Sequence, residues 1–245
     1  MTALILNSGE GKRMGEFTEN NPKCLVNISS EDTILSLQLK NLIACGIRNV
    51  IITTGPFEDN LKAYCMSLDL PISYKFVHNP LYRETNYIYS IYLAREDLYD
   101  NIIMLHGDLV FDSEILSSML KQGYSQMAIS TSMPLPEKDF KAIIEDGRIV
   151  KIGVDCYENA VAAQPLYVLY GEVWEAWLSR IISFCEGGRT TCYAENAFNE
   201  ISGDCIIRPW DYEKRLCAEI DTPEDLQNLM GFFVSGECNP LKRSI

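Results

Sequence analysis

Three apolar runs in the first half of the chain each end at a glycine: "TALILNSG" (2–9), "NVIITTG" (49–55) and "NIIMLHGD" (101–108). Such runs, rich in aliphatic and β-branched residues, read as strands buried on both faces. Helical patterns separate them. Ile34, Leu35, Leu39, Leu42 and Ile43 recur at helical spacing over 33–45, with Asp32 as N-cap and Gly46 just past the end. Residues 58–69 read as a helix stopped by Pro71, "ISYKFVHN" (72–79) as a strand and "NYIYSIYLARE" (86–96) as a helix. Residues 113–121 read as helix and "QMAIST" (126–131) as strand. This alternation predicts an α/β fold, a mostly parallel central sheet with helices on both faces. Right-handed crossovers then bring the loops after residues 7, 54, 79 and 107 to one edge, where such sheets bind ligands.

The second half changes character. "KAIIEDGRIVKIG" (141–153) reads as a hairpin turning at Asp146-Gly147. "PLYVLY" (165–170) reads as a strand, 172–185 as a helix, and 218–233 as a short strand followed by a helix. Thr222 is the expected N-cap of that helix and Pro223 its first residue. With no linker and no repeat, one domain is expected over 1–235. Its first part covers about 1–130, a small mixed lid region about 131–215, and a closing strand and helix about 216–235, with 236–245 as a tail.

The 245 residues carry 21 basic and 34 acidic side chains, a net charge of −13. That argues against nucleic acid and anionic membranes as partners. A site for a polyanion must therefore be locally basic or use a metal ion. Nine scattered cysteines with no C-x-x-C, and only His78 and His106 beside them, argue against a zinc site. The opening residues lack the pattern of a signal peptide, and no run approaches the ~18 apolar residues of a membrane span. A reduced, cytoplasmic protein is expected, with its cysteines packed as small apolar side chains.

One loop concentrates the chemistry. "LILNSGEGKRMG" (4–15) matches neither the spacing of a dinucleotide fingerprint nor that of a P-loop. Yet Ser8, Gly9, Gly11, Lys12 and Arg13, with Lys23 in "NPKCL", offer close backbone approach and three cations within 12 residues. Arg13 supplies a planar fork for phosphate oxygens and Lys23 a point charge. The plainer alternative is a solvated turn. Asp108 in "MLHGDLVF" and Asp221 in "EIDTPEDL" are each placed to hold Mg²⁺ or simply to cap a turn. Converging on one ion, they would form a coherent site.

"LILNSGEGKRM…NPKCL" resembles the signature of nucleotidylyltransferases that carry G-x-G-x-R and a downstream P-K. "LYRETNYIYSIYLA", "HGDLVF" and "EIDTPEDL" narrow the resemblance to the phosphocholine and 2-aminoethylphosphonate cytidylyltransferase branch, over residues 2 to about 230. The resemblance implies a Rossmann-like nucleotide-binding fold, with CTP in the first part and the acceptor under the lid. It implies that loop 8–13 cradles the triphosphate, that Arg13 and Lys23 act on the phosphates, and that Asp108 and Asp221 hold Mg²⁺ as cofactor. Asn86 and Ser90 fall in the segment expected near the cytidine. Asn7-Ser8 stands where many relatives have two alanines, so base contacts are expected to differ there. His106 is read as a spacer or as a group supporting its neighbours, rather than as a catalyst. A phosphate or phosphonate oxygen would attack the α-phosphorus of CTP and pyrophosphate would leave. A phosphate monoester is largely ionised near pH 7, so positioning and charge neutralisation suffice without a strong base.

For the amine end of the acceptor, "CYAENAFNEI" (192–201) places Tyr193 and Glu195 at a helix start. An aromatic face holds a quaternary ammonium and a carboxylate a primary one. Alternatively, Glu195 only complements its own helix N-terminus. Trp174 and Trp177 are expected in the core. Competing readings are a sugar-1-phosphate nucleotidylyltransferase, a glycosyltransferase (which would want a D-x-D that "GDLVFD" lacks) and a CTP-binding module without turnover.

Overall fold

The computed structural model describes residues 1–235, so the expected tail at 236–245 lies outside the described residues. The chain runs β1 (Thr2–Asn7), α1 (Ile34–Ala44), β2 (Asn49–Thr54), α2 (Glu58–Ser67), β3 (Ser73–His78), α3 (Tyr87–Ala94), β4 (Ile102–His106), β5 (Leu109–Phe111) and α4 (Ser113–Leu120). It continues through β6 (Gln126–Ser130), β7 (Lys141–Glu145), β8 (Arg148–Gly153), β9 (Ala160–Leu169), α5 (Gly171–Glu186), α6 (Ala194–Asn199), β10 (Arg208–Asp211), β11 (Cys217–Glu219) and α7 (Pro223–Ser235). The main sheet has the order β10-β6-β9-β4-β1-β2-β3, with the β7–β8 hairpin joined to β9. Strands β4, β1, β2 and β3 are parallel neighbours. β9 opposes both β4 and β6. The lid region therefore contributes strands to the same sheet as the first part.

Period-two alternation divides the parallel strands between two cores. Leu4, Leu6 and Met104 pack on one face with Ile88 and Ile91 of α3 and Trp174 and Trp177 of α5. Ala3, Ile5, Ile103 and Leu105 pack on the other with Leu35, Leu39 and Leu42 of α1 and Ile115 and Met119 of α4. The two tryptophans are wholly buried, as expected. The eight described cysteines are free, six of them buried and Cys45 and Cys192 half-buried. No helix among the described residues is long and apolar enough to cross a membrane.

Several boundaries differ from the sequence reading, each for a local reason. Thr33, not Asp32, caps α1: its hydroxyl accepts the Ser36 N–H at 3.1 Å and the Ser36 hydroxyl accepts its N–H at 3.0 Å. The Asp32 carboxylate is occupied by Lys40 at 2.7 and 2.9 Å. β9 begins at Ala160, and β10, which the sequence reading missed, is an edge strand short enough to tolerate Pro209. The run at 101–108 breaks after His106. β5 leaves the main sheet and pairs antiparallel with β11, Leu109 opposite Glu219. That small ribbon carries Asp108 to the 219–221 segment.

Candidate active site

The C-terminal ends of β1 and β4 form the floor of a cleft of about 440 Å³. At the end of β1, Asn7 packs so tightly on Gly107 that a Cβ there would stand 1.6 Å from Asn7 Oδ1. Only glycine permits this approach. Asn7 Nδ2 is buried with no partner. The Ser8 hydroxyl lies 2.7 Å from that of Ser90, which also accepts from Asn79 Nδ2 at 3.0 Å. Ser90 is thus a buried support beneath the cleft. Asn86 lines it and caps α3, its Oδ1 accepting the Tyr87 N–H at 2.7 Å.

Gly9, Gly11, Lys12 and Arg13 line the opposite rim. Gly11, at φ 66°, starts a 3₁₀ turn over Lys12–Thr18, and its carbonyl accepts the Thr18 hydroxyl at 2.9 Å. The three cations do not make an open basic patch. Lys12 pairs with Glu10 at 2.7 Å and Arg13 with Asp221 at 2.9 Å. Lys23 Nζ donates to Asp108 Oδ2 at 2.6 Å and also to Asp221 Oδ1. Burial opposes the charge on Lys23, but Asp108 and Asp221 outweigh it and raise its affinity for the proton. Asp108 is the converse: burial pushes its carboxyl up, and Lys23 and His106 bring it below the usual range.

Beside this network, His106 Nδ1 lies 2.8 Å from Glu219 Oε1. Burial disfavours the imidazolium, yet the hydrogen bond and charge of Glu219, with Asp108, raise the basicity of the ring. Burial and the nearby Asp108 also raise the Glu219 carboxyl, against the pull of His106. Asp139, half-buried, is held above the usual range by burial and by Asp221 and Asp225. His106, Glu219 and Asp139 were not among the expected site residues. The repeated spacing H-x-D at 106–108 and E-x-D at 219–221, each at a strand end, is the signal that marks the first two.

A second cavity of about 440 Å³ adjoins the first, with Asn86 lining both. Tyr193, Glu195 and Phe140 line it. Rings run from one cavity to the other: Tyr87 to His106 at 4.7 Å, His106 to Phe140 at 6.1 Å and Phe140 to Tyr193 at 5.2 Å between centroids. Glu195, in the first turn of α6, is 1% exposed. Its Oε1 accepts the Tyr167 hydroxyl at 2.8 Å and its Oε2 the Tyr87 hydroxyl. Tyr193 is the partly exposed wall residue.

Every expected nucleotide and metal residue except Ser90 therefore lines one cleft, and Tyr193 and Glu195 belong to its neighbour. Residues 3–173 match the family described as MobA-like NTP transferase domain. A CMP-5'-(3-aminopropyl)phosphonate synthase of Streptomyces rubellomurinus is 29% identical over 133 residues, which is 54% of this chain and 21% of that protein. A CTP:phosphoglutamine cytidylyltransferase of Campylobacter jejuni is 24% identical over 201 residues, 76% of this chain and 78% of that protein. The chain thus spans about a fifth of the first relative's length. Among solved structures, the CTP:phosphocholine cytidylyltransferase of Streptococcus pneumoniae shares the fold with a TM-score of 0.79 at 21% identity, covering 95% of this chain and 98% of that one.

Proposed function

This chain belongs to the MobA-like NTP transferase domain family, and on that premise we propose that it transfers CMP from CTP to a small amine-bearing phosphate or phosphonate, releasing pyrophosphate. The observation that carries the reading is the bridge of Lys23 between Asp108 and Asp221, with Arg13 on the same aspartate, at the foot of a glycine loop. An adjoining aromatic cavity with a carboxylate at its back supports an amine-bearing acceptor.

Arg13 and Lys23 neutralise the phosphates and the charge that develops at the α-phosphorus. Gly9 and Gly11 let the loop backbone approach the triphosphate, with Lys12 at the rim. Asn7, Ser8 and Asn86 wall the space for the cytosine and ribose, and Ser90 fixes Ser8 from beneath. Asp108 and Asp221 suit a hard cation, being oxygen donors held by one ammonium, with Asp108 Oδ1 buried and unpartnered. These two would hold Mg²⁺, which when bound supplies charge neutralisation at the phosphate oxygens. The acceptor needs no strong base, since its phosphate is already largely ionised. Its amine end would meet the faces of Tyr193 and Phe140, with the charge of Glu195 behind them.

The test is pyrophosphate release with Mg²⁺ and CTP, offering phosphocholine, 2-aminoethylphosphonate and glucose 1-phosphate in turn. Turnover with an amine-bearing acceptor is expected. Turnover with the sugar phosphate alone would overturn the acceptor assignment, and none with any acceptor would overturn the activity.

A further inference from the structure

Three buried polar atoms of residues lining the cleft are left without partners, Asn7 Nδ2 and two whose residues belong to one cluster. Asp108 gives Oδ2 to Lys23, while Oδ1 is buried and unpaired. His106 engages Glu219 through Nδ1, while Nε2 is buried and unpaired. Among the described residues, His106, Asp108 and Glu219 can each offer a ligand atom lying within 4.8 Å of the others. An imidazole steadied through one nitrogen by a carboxylate presents the other in fixed orientation, an arrangement common at metal centres.

We propose that His106 Nε2 and Asp108 Oδ1, with Glu219 holding the ring through Nδ1, form a mixed nitrogen–oxygen site for a first-row transition ion of the Mn²⁺ and Co²⁺ class. The proposal deepens the metal assignment in the function proposed above and rests on that assignment. Asp221 and Asp108 alone are an all-oxygen set, which suits Mg²⁺. A nitrogen donor shifts preference toward later ions, because imidazole binds them more strongly while Mg²⁺ gains little. Lys23 fits this division, since it occupies the Asp108 oxygen on the Asp221 side and leaves the other oxygen unpaired. His106 lines the cleft.

The experiment is calorimetric titration of the full chain with Co²⁺ and with Mg²⁺, without nucleotide or acceptor, so it does not depend on CTP or on turnover. Co²⁺ is expected to bind about tenfold or more tightly than Mg²⁺, and His106→Asn to lose about tenfold or more of the Co²⁺ affinity while Mg²⁺ binding changes less than about twofold. Equal binding of Co²⁺ by the variant and the wild-type protein would overturn the proposal. So would an intense thiolate charge-transfer band, which would place the ion on cysteine. Should the variant fail to fold, pulsed electron paramagnetic resonance of Mn²⁺ on the wild-type protein decides. Modulation from a directly bound imidazole nitrogen is expected, and its absence would overturn the proposal.

Discussion

Replacing Glu195 with glutamine changes almost nothing in shape and a good deal in hydrogen bonding. In the native protein both carboxylate oxygens accept, one from Tyr167 at 2.8 Å and one from Tyr87. Burial, with Glu195 adding to it, raises the pKa of both tyrosines, so each hydroxyl stays protonated and must donate. Glutamine offers one acceptor oxygen and one NH₂ group. One tyrosine keeps its partner, as a neutral bond worth about 1 kcal/mol less than the charge-assisted one. The other faces an N–H donor, and its hydroxyl hydrogen is left unpaired in the interior at about 1–3 kcal/mol. The loss is therefore about 2–4 kcal/mol. For a chain of this size each kcal/mol lowers the unfolding midpoint by about 2–4 °C, so a drop on the order of 4–16 °C is expected by circular dichroism. Tyr167→Phe made in the same background should cost much less than it does alone, because the pair is then already weakened. A midpoint within about 1 °C of wild type would refute the argument. It would mean that these bonds carry no net stability and that the carboxylate is free for other use. In the surviving folded protein, the KM of an amine-bearing acceptor should rise while that for CTP stays put.

Asp108→Asn should cut pyrophosphate release by a hundredfold or more, on the order expected for lost transition-state charge stabilisation, with the fold retained by circular dichroism; near-normal turnover would remove Asp108 from the reaction. Lys23→Ala should lower kcat more than it raises the KM for CTP, and a change confined to KM would show only ground-state binding. It should also destabilise the apo protein measurably in thermal melts, because Asp108 and Asp221 would be left facing each other without their shared cation. Gly107→Ala drives a methyl into Asn7, so activity and CTP affinity should both fall, and unchanged CTP affinity would dissociate Asn7 from the nucleotide. Brief alkylation of the native protein at pH 7.5 should label Cys45 and Cys192 first among the described residues, since these two are half-buried and the other six are buried, with burial pushing Cys65 up to about 12 and Cys205 up to about 11. Early labelling of Cys65 or Cys205 would contradict their burial.

What was legible in the sequence was whatever local pattern controls. The runs at 2–7 and 49–54 could be read as buried strands because aliphatic and β-branched residues fill both faces, and the loop at 8–13 could be read because its composition departs so far from theirs. Short elements held by distant partners could not. β5 and β11 are three residues each and pair across 108 positions, so nothing local announces that Asp108 and Asp221 converge. Glu195 looked equally suited to a helix start and to a substrate amine, because its tyrosine partners lie 28 and 108 residues away. His106 could be read only as a spacer or an unspecified supporting group for the same reason: its partner Glu219 is 113 residues on.

The largest departure concerns charge, and it bears on what the cleft can bind. Three cations in 12 residues imply a basic loop when the rest of the chain is ignored. In the folded protein the cleft is lined by Lys12, Arg13 and Lys23 and also by Glu10, Asp108 and Asp221, so the charges of the two groups cancel. Each cation has a carboxylate partner within 3 Å. A nucleoside triphosphate carries about four negative charges near neutral pH, given terminal phosphate pKa values near 6. Such a ligand entering alone would have to pull Lys23 and Arg13 from aspartates that would then be left bare, at a cost of several kcal/mol for the buried ones. Entering with a divalent cation, it brings a partner for those same aspartates. The lysine and arginine are then released to the phosphates, and the exchange leaves few buried charges unpaired. A site paired in this way would favour the metal–nucleotide complex over either component. CTP affinity measured with and without Mg²⁺ should therefore differ by far more than screening alone produces. Equal affinities would show that the ion pairs of the cleft open without help.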